Sequence, residues 1–139
     1  VDRCISKNHP AHCHGTFQTE PDQILELHRG DEYMEKNGVT KIDFLKIDTE
    51  GYEFKVMKGF GDRIKDIDII QFEYGGCWMD TGDKLADVIE YLRSKGFGRF
   101  GYLNGSNEES VLDTADHYQY SIIVCHNNKN LEDNGDNEQ

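Results

Sequence analysis

The stretch from Lys41 to Gly59, KIDFLKIDTEGYEFKVMKG, constrains the fold of this 139-residue chain more than any other. It begins with a short, mainly apolar run and then reaches the acidic cluster Asp48-Thr49-Glu50-Gly51. Such a run, from Lys41 to Asp48, predicts a strand buried on both faces, as in parallel sheets. Gly51 permits a sharp turn after the strand. The apolar spacing that follows predicts a helix from about Tyr52 to Lys58. We therefore expect a strand, an acidic turn and a helix.

The rest of the chain continues this alternation of strands and helices. Upstream, residues 31–37 predict a short helix with Asp31 as its N-cap and Gly38 as its stop. The βα units predict parallel strands, whereas the last two strands have no helix between them and predict an antiparallel pair at a sheet edge. The predicted downstream elements are a strand Ile67 to Tyr74, a helix Asp83 to Lys95 capped by Asp83, and strands Phe97 to Leu103 and His117 to Cys125.

Composition narrows the class of protein. The chain has 27 acidic and 15 basic residues, a net charge of -12, which argues against nucleic acid or an anionic membrane as a partner. No apolar run approaches the ~20 residues of a membrane span. Four cysteines are scattered without a CxxC pair, which predicts a reduced, cytoplasmic protein. The cysteines are Cys4, Cys13, Cys77 and Cys125.

The length predicts a single domain followed by a tail. Residues 1–126 contain the predicted strands and helices and are enough for one hydrophobic core. Residues 127–139 have one leucine and no aromatic residue, so they bury too little apolar surface to fold. We expect residues 127–139 to form a disordered acidic tail.

Acidic residues at two strand ends are the candidate functional residues. Asp48 and Glu50 follow the first strand, and Glu73 and Tyr74 end the next one. In open α/β sheets, ligands bind outside the carboxyl ends of the strands. Alternatives remain open: Asp48 and Glu50 could cap the following helix or hold a divalent ion, Glu73 could pair with a lysine, and Tyr74 could pack in the core. Lys46 is expected to pair with a neighbouring carboxylate.

A histidine-rich segment near the start offers a competing hypothesis, a small zinc protein. Its spacing matches none of the familiar zinc patterns, and no second pair of ligands follows. We therefore predict a loop there and no metal site. The residues concerned are His9, His12, Cys13 and His14.

The central stretch resembles the FkbM family of S-adenosylmethionine-dependent methyltransferases. The residues that carry the resemblance are IDFLKIDTEGYE at 42–53, VMKG at 56–59 and IQFEY at 70–74. The resemblance implies a Rossmann-like class I methyltransferase sheet, mostly parallel with an antiparallel C-terminal strand. The four strands after Lys41 would be the fourth to seventh of that sheet.

The resemblance also implies an activity. It implies O-methylation of a hydroxyl on a sugar or other small metabolite, with S-adenosylmethionine as the cofactor. Asp48 and Glu50 would be catalytic and would orient or deprotonate the acceptor, and Glu73 and Tyr74 would bind substrate. A non-catalytic remnant that serves as an interaction module is the alternative. The sequence leaves the oligomeric state open.

One expected feature of such a sheet is not found in the sequence. The fold normally holds its cofactor with a glycine-rich loop after the first strand and an acidic residue ending the second. Nothing before Lys41 offers a strand followed by GxG. We therefore predict that the chain is the C-terminal part of the domain, with the N-terminal part missing, and assign no residue to the cofactor.

Overall fold

The computed structural model describes residues 26–103 and 117–130, which form an α/β structure around one four-stranded sheet. None of the described helices is long and apolar enough to cross a membrane. The elements in chain order are α1 (Gly30–Lys36), β1 (Ile42–Ile47), α2 (Glu53–Gly59), a 3-10 helix (Gly61–Asp66), β2 (Ile67–Tyr74), α3 (Trp78–Thr81), α4 (Leu85–Ser94), β3 (Phe97–Tyr102), β4 (Ser121–Asn127) and a second 3-10 helix (Asn128–Asn130).

The sheet is mixed, with strand order β1-β2-β4-β3. Strands β1 and β2 are parallel, and β4 is antiparallel to both β2 and β3. Three strands therefore run in one direction and the last strand runs against them. This confirms the predicted parallel βα unit and the antiparallel final pair, and it is compatible with a methyltransferase-like fold.

Several predicted boundaries match, whereas two predicted helix caps are wrong. Strand β2 has the predicted bounds. Helix α1 has Arg29 at its N-cap position, and the Asp31 side chain instead bonds Arg29 and accepts the Glu32 N–H. Helix α4 begins two residues after Asp83, and its N-cap position is Lys84.

The last strand begins at Ser121, four residues later than predicted, because the chain turns at Tyr118. The backbone φ of Tyr118 is 50°, in the left-handed region that bulky residues rarely adopt. Its N–H donates to the Tyr74 hydroxyl at 3.2 Å rather than to a neighbouring strand. Residues 117–120 therefore lie outside the strand ladder.

The last strand extends beyond the predicted end of the domain at residue 126. Asn127 ends β4 and is 2% exposed, so its place in the predicted tail is wrong. Its side-chain amide donates to the carbonyls of Lys65 and Ile67 at 3.0 and 3.1 Å. The physical reason is that this buried amide ties the strand end to the start of β2. Residues 131–139 lie outside the described part of the chain.

One face of the sheet, which we call the covered face, carries the hydrophobic core. Its β2 side chains are Ile70, Phe72 and Tyr74, each 0% exposed. Buried residues of α1, α2, α3 and α4 join them in a single cluster. Helix α4 contributes the face that its i, i+3, i+4, i+7 spacing predicts. Those α4 residues are Leu85, Val88, Ile89 and Leu92.

The other face, which we call the open face, is only partly buried. Because side chains alternate along strands, it carries Phe44 and Lys46 on β1, Gln71 and Glu73 on β2, and Ile122 on β4. Phe44 is 52% exposed, and only Ile47 of β1 is buried. The prediction that β1 is buried on both faces is therefore wrong. In the described sheet β1 is an edge strand, and the described helices pack on the covered face.

Candidate functional site

The carboxyl groups of Asp48 and Glu73 meet where two parallel strands end. The register pairs Ile47 with Phe72, so the residues that follow them lie side by side. The two carboxyl groups are hydrogen-bonded to each other. Asp48 is exposed and Glu73 is half-buried. The sheet therefore brings together two residues that the sequence had identified separately.

Their surroundings push the pKa values of this carboxyl pair apart. The Lys46 ammonium lies 2.9 Å from Asp48, and this hydrogen bond lowers the pKa of Asp48 below its usual value. Partial burial, followed by the hydrogen bond and charge of Asp48, raises the pKa of Glu73 to about 7. One carboxyl is thus ionised and the other can hold a proton near neutral pH, an arrangement typical of acid-base sites. The pairing predicted for Lys46 is confirmed.

Glu50 lies beside this pair on a turn with unusual backbone geometry. Its φ is 54°, and its carboxylate accepts a hydrogen bond from the Cys77 thiol at 3.3 Å. Gly51 has a φ of 100°, and a Cβ there would lie 2.5 Å from the Cys77 carbonyl oxygen. The turn therefore packs directly against the chain before α3. The Glu50 charge contributes to the raised pKa of Glu73.

Glu53 holds the acidic turn in place, a role that the sequence analysis did not assign. It is 1% exposed, and one carboxylate oxygen accepts the Thr49 N–H at 2.8 Å and the Thr49 hydroxyl at 3.1 Å. The other oxygen accepts the Gly51 N–H at 3.0 Å. A glutamate in the first turn of a helix that bonds back to preceding N–H groups resembles a capping box, and a threonine before it was the available signal. The described α2 has no side-chain cap from Asp48 or Glu50.

Tyr74 does not face the carboxyl pair. It is 0% exposed on the covered face, where its ring meets Trp78 edge-on at 4.9 Å. Successive side chains on a strand point to opposite faces, so Tyr74 and the adjacent Glu73 are separated by the sheet. The predicted substrate-binding role of Tyr74 is therefore replaced by the alternative in which it packs in the core.

The described residues form two pockets away from the acidic turn. Their volumes are about 480 and 400 Å³, and one lies against α1 and the other near the end of β4. Neither pocket is lined by the acidic turn or by Glu73. Residues 26–103 and 117–130 contain no group of three potential metal ligands. The histidine-rich segment lies outside these ranges.

An α/β sheet with an acid-base pair at the carboxyl ends of parallel strands defines a candidate enzyme active site. The family model of the methyltransferase FkbM domain matches residues 6–98, about two thirds of the chain. The chain belongs to the FkbM methyltransferase family, and the predicted resemblance is confirmed. The match includes Asp48, Glu50 and Glu73. No curated protein and no solved structure matched the chain.

Proposed function

We propose that this chain carries the acceptor side of an S-adenosylmethionine-dependent O-methyltransferase. The acceptor is a hydroxyl group of a sugar or another small metabolite. The observation that carries the proposal is the Asp48-Glu73 carboxyl pair at the ends of β1 and β2 in a member of a methyltransferase family. The net charge of -12 supports a small-molecule acceptor, rather than nucleic acid or an anionic membrane, as the partner.

In this proposal Glu73 is the general base. A hydroxyl oxygen that forms a bond to a methyl group must lose its proton, and a base with a pKa near the working pH takes it best. The raised pKa of Glu73, about 7, suits this role better than the lowered pKa of Asp48. Glu73 would take the acceptor proton and release it to water. The proposal thus moves the role of base from Asp48 and Glu50 to Glu73.

Asp48 is then a positioning residue. Its carboxylate, held by Lys46, hydrogen-bonds Glu73 and contributes to the raised pKa of Glu73. Glu53 fixes the turn that carries Asp48 and Glu50, so the carboxyl groups keep their relative positions. Such preorganisation keeps the acceptor oxygen and the base aligned, which is a large part of catalysis.

The charge of the site fits the proposed cofactor. S-adenosylmethionine would supply the methyl group from a sulfonium cation. The charges of Asp48 and Glu50 provide a negative potential at the strand ends that favours a cation. We propose that the described strands belong to a Rossmann-like sheet and that residues outside this part of the chain hold the remainder of the cofactor.

The test is methyl transfer by the Glu73→Gln variant. We expect its kcat to fall by about 100-fold or more, since loss of a general base costs that much, while the Kd for S-adenosylmethionine changes little. Glu90→Gln, which changes an exposed glutamate of α4, is the matched control and should retain full activity. Transfer of a labelled methyl group to small neutral alcohols gives kcat, and calorimetry gives the Kd.

Two results would count against the proposal. Equal activity of Glu73→Gln and Glu90→Gln would remove Glu73 as the base. A folded chain that neither binds S-adenosylmethionine nor transfers methyl groups, even when the predicted N-terminal part is supplied, would instead favour the non-catalytic interaction module.

A further inference from the structure

Tyr120 is an exposed aromatic residue beside the carboxyl pair that the proposed chemistry does not use. It is 68% exposed, the highest value among the described large hydrophobic side chains that are exposed. A single exposed aromatic residue is common on protein surfaces and carries no argument alone. Its position does carry one.

Tyr120 lies over the end of β2. The β2-β4 register pairs Tyr74 with Ser121, which places the preceding Tyr120 next to Gly75. A Cβ at Gly75 would lie 3.6 Å from the Tyr120 Cα and 4.0 Å from the ring atom Cδ2. These are ordinary van der Waals distances, so Tyr120 lies directly against the strand end, two residues from Glu73.

The Lys46 ammonium and the Glu73 carboxyl lie on neighbouring strands and on the same face of the sheet. The pKa of Lys46 is raised mainly by its hydrogen bond and charge interaction with Asp48, and the Tyr120 phenol and Glu73 raise it further. Tyr120 lies at the β2 end of this face, and its charge interaction with Lys46 agrees with that placement. Three separate segments of the chain, β1, β2 and the approach to β4, contribute to this area.

The backbone on either side holds Tyr120 in this place. The Tyr118 N–H donates to the buried Tyr74 hydroxyl at 3.2 Å, and the Tyr118 ring stacks on the Tyr74 ring. Tyr118 has a left-handed φ of 50° and is half-buried, whereas Tyr120 is exposed. On the other side, the Ser121 hydroxyl donates to the Gln119 carbonyl at 3.1 Å. A non-glycine residue kept in a disfavoured conformation is frequent at functional sites.

The charges around the ring limit what it can bind. Asp48, Glu50 and Glu73 contribute carboxyl groups, and Lys46 is already paired with Asp48. An anionic acceptor would be repelled here. An uncharged alcohol with a ring can place its apolar face on the tyrosine and direct a hydroxyl toward the carboxyl pair.

We propose that Tyr120 is the platform that binds the acceptor, and that the acceptor is an uncharged alcohol containing a ring. This inference rests on the proposed function, because it assigns the acceptor side of the same site. Tyr120 is a binding residue that sets specificity, and Glu73 remains the base.

The experiment measures binding of four small probes to the full chain by ligand-observed NMR, with and without S-adenosylmethionine. Methyl α-D-glucoside and benzyl alcohol are neutral ring alcohols, glycerol lacks a ring, and glucuronate adds a negative charge. We expect the two ring alcohols to bind more tightly than glycerol and glucuronate. Tyr120→Ala should raise their Kd about 5-fold, the loss expected for one aromatic contact. Tyr120→Phe keeps the ring and should bind them as the parent chain does.

Tyr33→Ala is the matched control, because Tyr33 is 59% exposed on α1, on another element. It should leave all four Kd values unchanged. No binding of either ring alcohol, or equal Kd values for Tyr120→Ala and Tyr33→Ala, would overturn the inference. Ring binding that depends on Tyr120, without any methyl transfer, would contradict the proposed function while confirming Tyr120 as the binding residue for a ring alcohol.

Discussion

The two faces of the sheet differ in what they do for the protein. On the covered face, Ile70, Phe72 and Tyr74 are inaccessible and pack against helices. On the open face, Phe44 is 52% exposed, Lys46 is exposed and Glu73 is half-buried. Both faces are built from the same strands, and they differ because the described helices cover only one of them.

This difference separates stability from chemistry. Burial of large apolar side chains stabilises the covered face, at about 1.5–3 kcal/mol for each fully buried residue. The open face retains ionisable groups whose pKa values are shifted but which still reach solvent. A carboxyl pair can exchange protons with an acceptor only where solvent or substrate can reach it. The open face is therefore where we expect the acceptor.

The largest expected effect comes from truncating one phenylalanine on each face. Phe72→Ala should lower the free energy of unfolding by about 3–5 kcal/mol, because it leaves a cavity in the core. Phe44→Ala, the same change on the open face, should cost less than about 1 kcal/mol. Urea unfolding monitored by circular dichroism measures both. Equal losses would show that Phe44 is also covered in solution.

The next effect concerns the turn at the end of β1. Gly51→Ala should cost about 3 kcal/mol, because the left-handed backbone disfavours a side chain and the new Cβ would meet the Cys77 carbonyl. Gly38→Ala is the matched control, since Gly38 has a φ of 64° with nothing within 4 Å of the new Cβ, and should cost about 1 kcal/mol. Thermal unfolding compares the two variants. A smaller loss at Gly51 would mean that the turn relaxes easily.

Glu53→Ala should cost about 2–3 kcal/mol, because it leaves the Thr49 and Gly51 N–H groups without their buried acceptor. It should also lower kcat, since the turn carries Asp48 and Glu50. Glu90→Ala removes an exposed glutamate from α4 and should change neither quantity. Urea unfolding and methyl transfer are measured on the same preparations. Full activity of a destabilised Glu53→Ala variant would show that the turn does not position the site.

The last effect is a pH dependence of stability from Glu73. Its pKa is raised from 4.5 to about 7, so the folded state binds more protons than the unfolded state between these values. The free energy of unfolding contributed by this group therefore falls as pH rises from about 4.5 to about 7. The pKa of Asp48 is lowered from its usual value of 3.8, so its contribution to stability falls as the pH is lowered. That change takes place below about pH 4 and therefore outside the range from 4.5 to 7.

Glu73→Gln should remove the decline between pH 4.5 and 7, so its stability relative to the parent chain should grow with pH. Urea unfolding at several pH values in that range measures the difference. The free energy of unfolding of Glu90→Gln should change with pH as that of the parent chain does. If the free energy of unfolding of Glu73→Gln also follows the parent chain across this range, the pKa of Glu73 is not raised.

Local patterns in the sequence were sufficient for most of the fold and for the family. The apolar run at 67–74 predicted β2 with its observed bounds, and the spacing of Leu85 and Leu92 predicted the buried face of α4. These features depend on residues that are close in sequence, so the periodicity of apolar residues is enough to predict them. The acidic cluster after β1 likewise indicated the site and the family, but it did not indicate which carboxyl group has which role.

The tertiary structure decided which groups meet. Asp48 and Glu73 are 25 residues apart in the chain, and only the parallel register of β1 with β2 places their carboxyl groups together. The sheet likewise placed Tyr74 in the core and Tyr120 beside Glu73, and helix packing on one face left Phe44 exposed. Burial and pKa shifts arise from neighbours that are distant in sequence, so the chemistry of the site depends on strand pairing and layer packing rather than on local pattern.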